Sequence, residues 1–201
     1  RGELPREEAR LAARQALDTA RAVSARDVVG WSHRNLGRLS PGPEVREHFE
    51  QALRASRAVK DVNGIGEGLR YLAYSLAADG SDPARAERLL EEALALGRRT
   101  ADPEEIASTH VVRGTLRLKA GAQEQALVEF AAAFDAIESL RDRQPDELVR
   151  ARVFSPWVFA YQRLAGALLE SGQPALAALA FEVVERMRAR VLLESLDMAR
   201  A

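Results

Sequence analysis

Apolar residues in this chain recur at spacings of three and four, and strand-like alternation is absent from end to end. The clearest stretch runs from Gly121 to Phe134. The glycine ends one helix, and Ala126, Phe130 and Ala133 then fall on one face of the next. A small-large-small face lets a neighbouring helix approach at the alanines and lock around the ring. The same face recurs as Ala86, Leu90 and Ala93, as Val45, Phe49 and Ala52, and as Ala177, Phe181 and Val184. Ala9, Ala13 and Ala16 form a weaker copy. The third member returns after 36, 41, 40 and 51 residues, the interval that stacked helical hairpins produce. The prediction is an all-α helical-hairpin solenoid over residues 1–201 with nine or so helices. A half repeat covers 1–26, and full repeats cover 27–60, 63–100, 103–141 and 146–201.

Breaker residues set the helix limits. Pro5 opens a first helix that runs to about Arg26, with Glu7 and Glu8 favourable in its first turn and Leu11, Ala16, Leu17 and Val23 on its apolar side. A second helix carries Trp31, Leu36 and Leu39 and stops at Ser40-Pro41-Gly42-Pro43. Glu44 to Lys60 is helical again, with Val45, Phe49, Ala52, Leu53 and Val59 turned inward. Gly64, Gly66 and Gly68 superficially resemble a phosphate-cradling loop, but no strand precedes them and they read as a helix start. Asp82-Pro83 and Asp102-Pro103 are start signals for helices over 83–99 and up to Gly121. Pro145 marks another start and Pro156 a break, before a stripe of Trp157, Tyr161, Leu164, Leu168 and Leu169. Pro174 opens the last helix, which presents Ala177, Phe181, Val184 and Val191 to its predecessor. Leu192, Leu193 and Leu196 cannot share that direction at 100° per residue. They are expected to form a docking face for a following domain or for a second copy of the chain.

Composition narrows the function. Apolar residues make up 47% of the chain and aromatic residues only 5%, so the core must be built from Leu, Ala and Val. The formal net charge of -1 argues against a sequence-independent nucleic-acid binder. Charge is nevertheless uneven: residues 1–60 carry 12 basic and 8 acidic groups, and residues 61–140 carry 8 and 14. With no cysteine there is neither disulfide nor thiolate site, which fits a cytoplasmic protein. No apolar run approaches the length of a membrane span. A first residue of Arg1 rather than Met leads us to expect a piece of a longer protein.

These patterns resemble the tetratricopeptide repeat, whose first helix carries a Leu-Gly-like pair and whose second carries the small-aromatic-small face. The pair stands here as Leu36-Gly37, Leu72-Ala73, an imperfect Arg113-Gly114 and Leu164-Ala165. The resemblance implies a right-handed superhelix with a concave, peptide-holding side. On the family's pattern that groove would present Trp31, Arg34 and Arg38, then Glu67, Arg70 and Tyr74, then Ser108, Val111, Thr115 and Lys119. Its arginines suit an acidic protein or peptide partner. Ser108 and Val112 stand where the family's two-carboxylate clamp for chaperone tails would want basic residues. Downstream, Tyr161 to Gly172 and Val184 to Leu196 resemble the last repeat before a CHAT domain, a caspase-like module of bacterial proteins. That likeness implies a regulatory arm whose neighbouring module, not this chain, holds the His and Cys of any peptidase chemistry. The alternative is the sensor array of a bacterial transcription regulator or kinase.

Little in the sequence points to chemistry of its own. His33, His48 and His110 lack companions at metal-ligand spacing, so no metal or cofactor is expected. Glu91-Glu92 and Glu104-Glu105 point apart on a helix and sit among arginines. No serine has a nucleophile-elbow setting. The reading is a binding and regulatory scaffold without catalysis, with an all-helical enzyme as the rival of another class.

Overall fold

The computed structural model describes residues 6–142, 158–170, 177, 178, 180–185 and 188. Eight helices lie in that range: α1 (Arg6–Ala22), α2 (Arg26–Leu39), α3 (Glu44–Val59), α4 (Val62–Ala78), α5 (Pro83–Thr100), α6 (Pro103–Lys119), α7 (Gln123–Asp142) and α8 (Val158–Glu170). Residues 180–185 are helical as well, and the described residues contain no strand. None of these helices is long and apolar enough to cross a membrane. The expected start at Pro145, the break at Pro156 and the stretch Val191 to Leu196 lie outside the described residues.

Connections from α1 to α7 are only two to four residues long, and from α1 to α5 each helix folds back on its predecessor. Their chemistry is local. α1, α3, α5 and α6 end with a residue in the left-handed region: Ser24, Lys60, Ala101 and Gly121. In each case the next N–H reaches back to a carbonyl of the finished helix, as from Asp61 to Ser56 and from Asp102 to Gly97 at 2.9 Å. Asp61, Asp82 and Asp102 then cap the following helices by accepting from the N–H groups of Gly64, Arg85 and Glu105. α1 stops at Ala22, earlier than its expected end near Arg26, because Ser24 turns left-handed and Arg26 begins α2.

Contacts divide the chain into two compact units, residues 1–105 and 106–201. In the first, α1 packs on α2, α2 on α3, α3 on α4 and α4 on α5. Phe49, Ala52, Ala86, Leu90 and Ala93 are buried at these faces as expected, with Val45 half-buried. Two glycines make room for the large residue of the next helix. A Cβ at Gly37 would stand 2.5–2.9 Å from the Phe49 ring, and one at Gly114, in the second unit, 2.8–3.0 Å from the Phe130 ring. That second unit buries Ala126, Phe130, Leu164, Ala165, Leu168 and Ala180 together, and Ala107, Ile137 and Tyr161 together.

Three expected faces shift. In α1 the buried set is Ala13, Leu17 and Ala20, while Ala9 and Ala16 are only half-buried and Leu11 and Val23 are exposed. The first helix therefore repeats the small-large-small face one turn later than expected. On α8, Leu169 is exposed, one residue off the Tyr161–Leu168 stripe. In the last helical segment Phe181 is 66% exposed, and Ala180 takes its place in the core beside half-buried Ala177, Val183 and Val184. Alanines stand at 175, 177, 178 and 180, so the apolar face could be drawn in more than one register, and close approach favours the small residue.

Candidate functional site

The glycine-rich stretch 63–68 is not a loop. It lies inside α4, and its buried glycines leave space for charged groups of the neighbouring helices. A Cβ at Gly64 would overlap the Asp61 carboxylate, the Ser56 hydroxyl and the Arg34 guanidinium; one at Gly66 would overlap the Glu105 carboxylate. Arg34 thereby reaches Asp61 at 3.6 Å and Glu67 at 2.8 Å, and Arg70 pairs with Glu105. These pairs join α2 to α4 and α4 to the first turn of α6. On α3, Arg46, Glu50 and Arg57 pair with Asp79, Arg85 and Glu92 across the same stack. The α3 pairs are largely solvent-exposed and set register more than stability.

The expected groove residues thus divide. Arg34 and Arg70 are already held by carboxylates, so they are not spare cations for a partner. Trp31 is exposed, and Glu67 is half-buried and held by Arg34. Arg38 is exposed, makes no ion pair among the described residues, and lies over the Tyr71 ring with its Cζ 5.9 Å from the centroid. Thr115 belongs to the second unit and is buried, its hydroxyl donating to the Val111 carbonyl at 2.8 Å. Ser108 and Val111 are half-buried, and Lys119 is exposed. Leu192, Leu193 and Leu196 lie outside the described residues.

Arg38 and Tyr74 line a cleft of about 550 Å³ at the α2–α3 turn, a size suited to a small ligand or a large side chain. Its wall is aromatic. Tyr71 stacks on Phe49 with centroids 5.1 Å apart and rings 10° from parallel, and Tyr74 follows on the same helix. Its rim is basic. Arg6 donates from Nε to the Leu39 carbonyl at 3.1 Å, and Arg46 pairs with Asp79 and donates to Ser81 Oγ at 2.9 Å. The hydroxyl and N–H of Ser81, and then Arg46, hold the Asp79 carboxyl below its usual range, so Asp79 stays charged. The Pro41-Gly42-Pro43 turn opens the cleft by carrying the chain from α2 to α3 with Gly42 left-handed. Sequence reasoning missed Phe49, Tyr71, Arg46 and Arg6 as a group because they meet only across helices; the proline turn was the one local signal.

A second titratable group sits between α2 and α3. His33 Nδ1 and His48 Nδ1 are 3.1 Å apart, and Arg21 Nη2 is 3.4 Å from His33 Nε2. Since arginine can only donate, His33 carries its proton on Nδ1 and donates it to His48. Burial, then the nearby charges of His48, Arg21 and Arg54, lower the His33 pKa to about 4. Burial lowers His48 too, helped by Arg14 and Arg21 and opposed by Glu44 and Glu47. Both folded-state values lie below the unfolded one, so the unfolded chain takes up the protons first. Stability is complete above about pH 6.5 and falls as pH drops towards 4. Between pH 7.5 and 5 the expected loss is about 1–2 kcal/mol, after allowance for screening near the surface. Urea midpoints at the two pH values measure it, and His33→Gln should remove most of the slope. Among the described residues no cluster of three or more His, Cys, Asp or Glu is placed to hold a metal ion.

No protein family, curated protein or solved structure matches this chain.

Proposed function

We propose that the chain is a protein-interaction module, a helical-hairpin array of tetratricopeptide type whose first unit holds an acidic segment of a partner. The observation that supports this reading is the division of arginines on the α2–α4 side. Arg34 is occupied by Asp61 and Glu67 and Arg70 by Glu105, while Arg38 is exposed beside the aromatic wall of the cleft. A cation next to Tyr71 and Tyr74 gives a carboxylate-bearing segment both a charge to pair with and an apolar surface to cover. The C-terminal likeness at 161–172 and 184–196 supports a role as regulatory arm of a bacterial cytoplasmic protein with a caspase-like module.

Fluorescence anisotropy with a labelled acidic peptide tests the binding. Affinity should fall as salt rises, because exposed charges are screened over about 10 Å at 0.1 M. Arg38→Ala should weaken binding about tenfold, the loss of one charge-assisted contact. Arg34→Ala should chiefly lower the melting temperature. Binding that ignores both salt and Arg38 would contradict the proposal.

A further inference from the structure

The geometry points to a narrower ligand for the cleft: a phosphate monoester carried on an aromatic ring. This rests on the interaction reading above and names the group that the cleft takes.

Charge is the first argument. Among the described residues Arg6, Arg38 and Arg46 line the cleft against one carboxylate, that of Asp79, leaving two positive charges in excess. A phosphate monoester carries roughly -1.5 to -2 at pH 7, so it matches that excess where one carboxylate would not. Guanidinium forks also fit phosphate oxygens in pairs.

Unsatisfied donors are the second, independent argument. Ser40 lines the cleft and is 3% exposed, yet among the described residues its Oγ has no hydrogen-bond partner. The Nε of Arg46 is likewise buried and unpaired. Buried polar groups ordinarily find partners, and an exception calls for a cause. The turn accounts for part of this: a serine hydroxyl often bonds a backbone N–H two or three residues on, and Pro43, three places after Ser40, has none, while the N–H of Gly42, two places on, is not used. The hydroxyl of Ser40 and the guanidinium nitrogen of Arg46 thus belong to two residues that line the same cleft. Both atoms are covered as they stand, so a phosphate, with three acceptor oxygens, satisfies them once the Ser40 hydroxyl and the Arg46 guanidinium turn towards the cleft that their residues line.

The aromatic wall supplies the third argument. Phe49, Tyr71 and Tyr74 offer ring surface next to the anion-binding groups, and aromatic pairs gain beyond the area they bury. A ring bearing the phosphate uses wall and rim together, whereas a bare phosphate or an aliphatic phosphate uses the rim alone.

Calorimetric titration of the 201-residue chain tests this. The ligands are phenyl phosphate, inorganic phosphate, and one acidic peptide in tyrosyl, phosphotyrosyl and phosphoseryl forms. Phenyl phosphate should bind about tenfold tighter than inorganic phosphate, and the phosphotyrosyl peptide about tenfold tighter than the phosphoseryl one. Arg38→Ala and Ser40→Ala should each weaken phenyl phosphate several-fold, and exposed Arg38 should do so without changing the melting temperature. Equal affinity for phenyl and inorganic phosphate, or indifference to both substitutions, would overturn the assignment. If the acidic tyrosyl peptide binds through Arg38 but phenyl phosphate neither binds nor competes, the subsite is refuted and the peptide reading stands. If phenyl phosphate binds as predicted and no peptide does, the subsite stands with a free aryl phosphate as ligand, and the peptide reading falls.

Discussion

Replacing Phe130 by Ala is expected to lower the unfolding free energy by about 3–5 kcal/mol, the cost of emptying a packed aromatic site. Phe130 is 0% exposed, and Ala126, Leu164, Ala165 and Leu168 close around it. The ring also fills the space over Gly114, where even one added carbon would stand 2.8–3.0 Å from it. The neighbours cannot easily collapse onto the vacancy, because the helices already meet at alanines and have little side chain to move inward. Chemical denaturation of the wild-type chain and of Phe130→Ala measures the difference. By contrast, Phe181→Ala should change stability by less than about 0.5 kcal/mol, since that ring is exposed. Equal costs at the two positions would mean that the small-large-small face does not organise the second unit.

The second large effect is expected at Glu105. Its carboxylate is 8% exposed and pairs with Arg70 in the space that Gly66 leaves open. Glu105→Ala should cost roughly 3 kcal/mol, much of it from the guanidinium left without its partner in a mostly buried position. The double change Arg70→Met with Glu105→Leu should recover part of that loss, because an apolar pair needs no counter-charge. Should the double variant be less stable than Glu105→Ala alone, Arg70 would have other work in the fold. Gly66→Ala is the companion control, since it pushes on the same carboxylate from α4 without removing any charge.

The sequence carried the architecture well where one residue type could satisfy the pattern. Phe49, Leu90 and Phe130 each stand between small residues at fixed spacing, and each is buried. Where several alanines stood close together the face was ambiguous. Ala9, Ala13 and Ala16 and the true set Ala13, Leu17 and Ala20 differ by one turn, and Phe181 lost its place to Ala180. The links at Asp82 and Asp102 were legible because these residues cap helices through contacts three residues away, whereas Asp61, which caps α4 in the same way, carried no proline beside it and went unread. The candidate site was not, because its parts lie far apart along the chain. Phe49 meets Tyr71, Arg6 meets Leu39 and Arg46 meets Asp79 only once the helices are stacked. The same separation hid the pairing of Arg34 and Arg70, which read from sequence alone as a cationic groove. Glycines inside α4 were the overlooked sign. Each costs about 1 kcal/mol in a helix interior, a penalty that the close approach of charged neighbours explains.

The central claim is that this chain binds through the cleft where α2, α3 and α4 meet. Backbone amide shifts, followed while an acidic peptide is titrated in, test it most directly. Saturable changes confined to residues 36–46 and 71–79, and lost in Arg38→Ala, are the predicted result. Changes centred on the outer face of α5 around Glu87 and Glu91, or shifts that never saturate, would contradict it.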